Sequence, residues 1–153
     1  MKPSNTTAKT FTLAALAVLA LSIAPTAKAA NKGCSNASLT GTFAFRGTGS
    51  HTLPDGLHLL DVVFVQTFDG NGALTSAGLQ SDNGKILQLT QTGTYTVNSD
   101  CTGTETVKLS LGFTVHFFFV IVDSGNELTV ISTDPNNLSG TARRQFPAGD
   151  WRQ

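Results

Sequence analysis

Apolar and polar residues alternate with a period of two through most of the chain, and clusters of turn-forming residues interrupt the alternation. In the segment 39–48, Phe43 and Phe45 fall on one face of a predicted strand, and Thr, Ala and Arg side chains fall on the other. The segments 57–68 and 113–122 are apolar at nearly every position, which favours strands covered on both faces. Beyond the N-terminal region no stretch keeps a helical period, so the pattern predicts an all-β protein.

Turns rich in Asp, Asn, Gly and Pro separate the predicted strands. The strongest hairpin signal is the Asp-Gly-Asn-Gly run at 69–72, and a Pro-Asp-Gly turn at 54–56 ends a predicted loop, 47–56. We predict about eight strands, with 85–89 and 94–97 either separate or parts of one longer element. The predicted strand segments are 39–48, 57–68, 73–80, 85–89, 94–97, 102–111, 113–122, 127–133 and 138–146.

Short turns between successive strands are typical of an up-and-down antiparallel meander. Closing that meander into a single β-barrel would remove the exposed strand edges, whereas an open sandwich is the alternative. An eight-stranded barrel has an interior just wide enough for packed side chains or for one small ligand.

The N-terminal region has the pattern of an export signal. Lys2 and Lys9 precede an apolar run at 11–24, which is too short for a comfortable membrane span, and Ala-Lys-Ala at 27–29 fits a cleavage site. A retained membrane anchor is the less favoured interpretation. We therefore predict a signal peptide at 1–29 and a β-barrel domain at 30–153, secreted or periplasmic, with no stable membrane span after cleavage.

Cys34 and Cys101 are the two cysteines of the chain. In an exported protein they most simply form one disulfide, which would tie the start of the mature chain to the corner between two central strands. Two reactive thiols are the alternative, but neither cysteine has a Cys-x-x-Cys partner or a neighbouring histidine.

The charge balance argues against nucleic acid as a partner. Without Lys2, Lys9 and Lys28 the chain keeps seven Lys and Arg residues against ten Asp and Glu residues, so its net charge is near −3. No basic stripe interrupts this acidic balance.

Histidines and strand carboxylates are the weak candidates for catalysis. His116 lies in the most apolar strand, where it is either a general base, a ligand-orienting group or a hydrogen-bonded core or interface residue. Asp61 and Glu105 lie within strand-like runs, and either would have a raised pKa if it faced a cavity. Arg46 is a candidate partner for one of these carboxylates.

A metal site built from His51, His58 and Asp61 fails on geometry, because residues three apart on a strand point to opposite faces. We therefore predict neither a metal site nor a cofactor. The predicted ligand-binding residues are His116, Arg46, Phe64, Phe118 and Tyr95.

A family resemblance rests on five sequence segments taken together: CSNASLTGTFAF, TFDGNGALT, GTYTVNSDCTGT, FFFVIVDSGNELTVISTD and SGTARRQ. With them the chain resembles a group of small exported bacterial proteins, mostly of unknown function, which are taken to fold as small β-barrels similar to allene oxide cyclase and the lipocalins. The resemblance covers most of the mature chain. It implies a barrel fold and brings no catalytic motif with it.

Three functional hypotheses follow. The first is a secreted barrel without enzymatic activity that binds a small apolar molecule or serves as an envelope or surface component. The second is a cofactor-free cyclase or isomerase of the allene oxide cyclase-like type, which needs a shaped apolar pocket and one or two polar groups. The third is a structural module whose segment 113–122 packs against sister subunits in a homo-oligomer.

Overall fold

Eight antiparallel strands form the fold in a computed structural model that describes residues 33–145. The predicted signal peptide at 1–29 lies outside the described residues. Two short 3₁₀ turns, Asn36–Leu39 and Asp123–Gly125, accompany the strands. The strands are β1 (Gly41–Leu53), β2 (Gly56–Phe68), β3 (Ala73–Asp82), β4 (Lys85–Val97), β5 (Thr102–Leu109), β6 (Thr114–Val122), β7 (Glu127–Ser132) and β8 (Asn137–Arg144).

The sheet is a closed up-and-down barrel in which each strand pairs with its sequence neighbours and β8 returns to pair with β1. Phe45, for example, lies opposite Phe64 on β2 and opposite Ala142 on β8. Closure pairs both edges of every described strand, which removes the edges that an open sheet would expose. The predicted all-β, up-and-down barrel is confirmed, and the open-sandwich alternative is excluded.

Most element boundaries differ from the sequence-based prediction by one or two residues, and two of the differences lengthen strands at the same end of the barrel. The predicted loop 47–56 is wrong, because β1 continues to Leu53 and pairs with β2 along its whole length. β3 likewise continues to Asp82, which the sequence pattern had placed in a turn. The segments 85–89 and 94–97 are parts of one strand, β4, as one of the two open alternatives had it.

Alternate residues of the eight strands point into the interior, and most of the largest fully buried side chains lie at the end where β1 begins. Phe43, Phe68 and Tyr95 form two edge-to-face ring contacts there, with centroids 5.4 and 5.0 Å apart. Gly103 leaves room for a further ring, since a Cβ at this position would lie 2.3 Å from Phe119 Cζ. This half of the barrel is therefore a packed core.

Residues 33–40, which precede β1, cover one end of the barrel. We call them the closing segment, and we call this end the closed end. Leu39 of the 3₁₀ turn is fully buried. Arg144 donates to the backbone carbonyls of Ser38 and Gly125, at 3.2 and 3.0 Å, and its guanidinium carbon lies 4.5 Å from the centre of the Phe43 ring. These contacts fix the segment across the barrel mouth.

The predicted disulfide is confirmed: Cys34 is bonded to Cys101, with Cα atoms 4.9 Å apart and a separation of 67 positions in sequence. Beside it, the Cys34 amide donates to the Ser99 carbonyl at 3.2 Å. The disulfide therefore fastens the closing segment to the β4–β5 corner and indicates an oxidising environment. Within residues 33–145 there is no helix whose length and apolar character would let it cross a membrane.

Candidate ligand-binding cavity

The other half of the barrel holds a cavity of about 530 Å³. It reaches from the barrel interior to the turns that follow β1, β3, β5 and β7, which we call the open end. Nothing equivalent to the closing segment covers this mouth among the described residues. The cavity exists because the strands continue beyond the packed core at this end, while the N-terminal segment plugs only the other.

Apolar side chains form most of the cavity wall. They point inward because they share the inward parity of their strands, which places every second residue inside the barrel. The wall residues are Phe45, Leu60, Val62, Phe64, Leu87, Leu109, Val115, Phe117, Val130 and Leu138.

Two hydrogen-bonded polar side chains line the inner part of the cavity. Gln66 Nε2 donates to Glu105 Oε1 at 3.2 Å, across the barrel from β2 to β5, and both residues are buried. Burial raises the pKa of Glu105 from 4.5 to about 7, because the carboxylate loses its hydration and faces no cation. Glu105 therefore exchanges a proton near neutral pH inside an apolar cavity.

Further polar groups extend this inner part along the sheet. Ser76 lies opposite Gln66 on one side and opposite Gln91 on the other, and Gln91 also lines the cavity. The buried Ser76 hydroxyl has no hydrogen-bond partner within the part of the chain that the structure describes. We call Gln66, Ser76, Gln91 and Glu105 the polar floor; it holds more hydrogen-bonding capacity than it uses internally.

At the open end, two histidines and Asp82 meet on the inward-facing positions of β1, β2 and β3, and Asp55 approaches them from the exposed β1–β2 turn. His51 and His58 face each other across β1 and β2, with ring centroids 5.3 Å apart. Asp82 Oδ1 lies 2.7 Å from His58 Nδ1, and Asp55 Oδ1 lies 3.1 Å from His58 Nε2. The hydrogen bond with Asp82 is the main cause that raises the pKa of His58 above its ordinary value.

Two of the predicted ligand-binding residues point into the barrel, and one of them lines the cavity. Phe64 forms part of the wall. Tyr95 belongs to the packed closed end, where its hydroxyl donates to the Asn36 carbonyl at 3.1 Å. Tyr95 therefore helps to close the barrel and does not reach the cavity.

The remaining predicted candidates, His116, Arg46, Phe118 and Asp61, lie on the outer face of the barrel. The His116 backbone amide and ring both bond to Asp134, at 2.6 and 2.9 Å, and the His116 side chain is half exposed. A molecule held inside the barrel would touch none of these four residues.

Residue type alone did not single out the residues that the cavity brings together. The sequence identifies Glu105 as a carboxylate whose pKa would be raised if it faced a cavity, and it does face one. Gln66 carried a signal too, since it shares the inward parity of Phe64 and Phe68 in an otherwise apolar strand.

No protein-family model matches the chain, and no curated protein matches it. Solved structures that it resembles include a redesigned β-barrel, b11L5F_LGL (19% identity, 72% of this chain and 95% of that one, TM-score 0.49), and the redesigned barrel mFAP1 bound to DFHBI (18%, 71% and 97%, 0.49). A third is a de novo designed fluorescence-activating β-barrel (19%, 69% and 93%, 0.46). The resemblance to exported bacterial barrels and to allene oxide cyclase stays a prediction.

Proposed function

We propose that this protein binds one small, mainly apolar molecule inside the open half of the barrel. The observation that carries the proposal is a cavity of about 530 Å³ whose wall is apolar and whose inner part holds a few buried polar groups. Ligand sites in proteins are typically clefts of roughly 300–1,000 Å³ with this division between apolar wall and a few polar contacts. The proposed setting is secretion or the periplasm, in agreement with the disulfide.

The polar floor defines the class of ligand. Glu105 is close to half protonated at neutral pH, so it can donate to a carbonyl oxygen or accept from a hydroxyl group. Gln66 offers an amide with both functions beside it. An anionic ligand group would meet a partly charged carboxylate among apolar side chains, which is unfavourable. The ligand we infer is a neutral molecule with an apolar body and one hydroxyl or carbonyl group.

The test is a fluorescence titration with the neutral apolar dye N-phenyl-1-naphthylamine, comparing two variants at adjacent positions of β2. Val62 is buried in the cavity wall, whereas Val63 points outward with 58% of its surface exposed. We expect Val62→Trp to obstruct the cavity and weaken dye binding, and Val63→Trp to leave binding unchanged. Equal dye affinity in the two variants would place the dye elsewhere and contradict the proposal.

A second candidate function is proton-transfer catalysis, as in a cofactor-free isomerase or cyclase. The observation that favours it is Glu105, a carboxyl group in an apolar cavity with its pKa raised to about 7. A general acid or base works best when its pKa lies near the operating pH. The candidate Glu105 replaces His116 and Asp61, which lie on the outer face.

The base-catalysed ring opening of 5-nitrobenzisoxazole tests this second function. The Glu105 carboxylate would remove the ring C–H proton while the N–O bond breaks, giving a cyanophenolate whose absorbance is measured. The expected rate rises with pH through an apparent pKa near 7 and is lost in Glu105→Gln. A rate equal to that of Glu105→Gln at every pH would contradict catalysis while leaving dye binding as a separate result.

A homo-oligomer stays a prediction. The observation that supports it is a pair of outward-facing apolar residues on adjacent strands, Phe118 and Ile131, which are 38% and 51% exposed.

A further inference from the structure

The histidine and aspartate side chains at the open rim form a compact donor set. One nitrogen from His51, one from His58 and one carboxylate oxygen from Asp82 lie within 4.8 Å of one another. All three side chains have the inward parity of their strands, with His51 near the end of β1, His58 near the start of β2 and Asp82 at the end of β3. The donors come from three adjacent strands of a closed sheet, so their spacing is fixed by the barrel.

One donor in this set is unused. His51 Nε2 is buried but has no hydrogen-bond partner among residues 33–145, and it lies 3.6 Å from Asp82 Oδ2. A buried ring nitrogen without a partner is uncommon, because the lost hydration costs free energy. A cation between His51 and Asp82 would satisfy both the nitrogen and the carboxylate.

Asp55 offers His58 a carboxylate that can accept a hydrogen bond from the ring, as metal-bound histidines usually have. Its carboxylate lies 3.1 Å from His58 Nε2, on the opposite side of the ring from Asp82. If His58 binds a metal through Nδ1, Nε2 carries the proton and donates it to Asp55. Such a carboxylate–histidine pair fixes the tautomer and the ring orientation of a ligating imidazole.

We propose that His51, His58 and Asp82 bind a divalent first-row transition metal ion such as Zn²⁺ at the mouth of the barrel. Two imidazoles and one carboxylate favour this class over Ca²⁺ and Mg²⁺, which prefer oxygen ligands. Three protein ligands leave an open coordination position. His51 and Asp82 also line the cavity, so that position faces the proposed ligand. The metal inference stands without the proposed function, since the donor set is complete in the empty barrel.

The failed sequence-based set differs from this one in a single residue. Asp61 points outward on β2, as its spacing from His58 predicts. Asp82 takes its place from β3, because β3 extends beyond its predicted end and brings the carboxylate beside His58.

The experiment is an isothermal titration of the purified, disulfide-bonded protein, made without a polyhistidine tag, with ZnCl₂. We expect one Zn²⁺ per chain with micromolar or tighter affinity. His51→Ala should weaken binding by at least about tenfold, as removal of a ligand or of its carboxylate partner typically does. Asp82→Asn keeps the side-chain shape and removes the charge, so it should weaken Zn²⁺ binding as well. This variant tests the site if a histidine variant unfolds.

His116→Ala is the matched control, since His116 also pairs with an aspartate at the open end but on the outer face. Its Zn²⁺ affinity should equal that of the unchanged protein. Co²⁺ provides an independent readout: the site should give the strong visible absorption of four- or five-coordinate Co²⁺, which Zn²⁺ removes. Absence of saturable Zn²⁺ binding, equal weakening by His116→Ala, or a weak six-coordinate Co²⁺ spectrum would overturn the proposal.

Discussion

The two ends of this barrel are built from the same eight strands and differ in what lies between them. At the closed end, the segment carrying Leu39 crosses the mouth, and a disulfide and an arginine hold it there. At the open end the strands continue and no residue of the described range 33–145 crosses the mouth as the closing segment does, which leaves an apolar cavity above a polar floor. The difference indicates that stability and ligand binding are divided between the two halves.

The first prediction compares two phenylalanines, one at each end. Phe43 is fully buried against Phe68 and Arg144, whereas Phe113 is 67% exposed at the open rim. Phe43→Ala should lower the free energy of unfolding by about 3–5 kcal/mol, since it leaves a cavity in a packed core. Phe113→Ala should change it by less than about 0.5 kcal/mol. Urea unfolding measures both free energies. Equal losses of unfolding free energy in the two variants would contradict the division of stability between the two ends.

The second prediction removes the covalent link at the closed end. The disulfide spans 67 residues, so the double variant Cys34→Ser, Cys101→Ser should lose about 3–4 kcal/mol of unfolding free energy in the chain-entropy model. Because the link lies far from the cavity, the affinity of the folded variant for the neutral dye should stay unchanged. Loss of dye affinity in the folded variant would show that the closing segment also shapes the open half.

The third prediction concerns the pH dependence of stability. The folded-state pKa of Glu105 is raised from 4.5 to about 7, so the folded protein binds this proton more tightly than the unfolded chain. Stability from this group is full below about pH 4.5 and is lost as pH rises towards 7, a change of about 3 kcal/mol. Glu105→Gln should remove this loss.

Unfolding of both proteins between pH 4.5 and 8 measures the effect as a difference, which cancels the titration of other groups. Asp61→Asn is the control, since it removes a carboxylate that is exposed on the outer face of the barrel instead of one buried in the cavity. A profile for Glu105→Gln parallel to that of the unchanged protein would mean that Glu105 titrates normally.

The fourth prediction compares neighbouring arginines on β8. Arg144 donates to carbonyls of the closing segment and covers the Phe43 ring, so Arg144→Ala should cost about 2 kcal/mol. Arg143 pairs with Glu127 at 2.6 Å, but its side chain is 76% exposed. Arg143→Ala should cost at most about 1 kcal/mol, as expected of a surface ion pair. Thermal unfolding of both variants measures the difference, and a larger loss for Arg143→Ala would contradict it.

Most of the fold follows from local rules that the sequence displays. Period-two alternation and turn residues predict the strands, and short sequential turns predict their order. Cys34 and Cys101 lie close enough to form a disulfide because the closing segment reaches the β4–β5 corner. The ends of β1 and β3 could not be predicted, since pairing with β2 extends both strands through residues that favour turns elsewhere.

The candidate site was predictable only in part, because the outer face of this barrel is also apolar. Leu59 and Val63 on β2 are exposed, so hydrophobicity does not identify the inward parity of that strand. His116 lies among apolar neighbours and yet points outward. The rim cluster depends on the extended ends of β1 and β3, which place His51 and Asp82 inside the barrel.

The central claim is that the open cavity binds a neutral apolar molecule over the polar floor, and the pH dependence of dye affinity tests it most directly. A neutral dye beside Glu105 makes the surroundings of the carboxyl group less polar and so favours its protonated form, which has a pKa of about 7 without the dye. The account predicts dye affinity that is weaker at pH 8 than at pH 6 in the unchanged protein, by at most about tenfold, and no such change in Glu105→Gln. The same pH dependence in both proteins, or none in either, would contradict it.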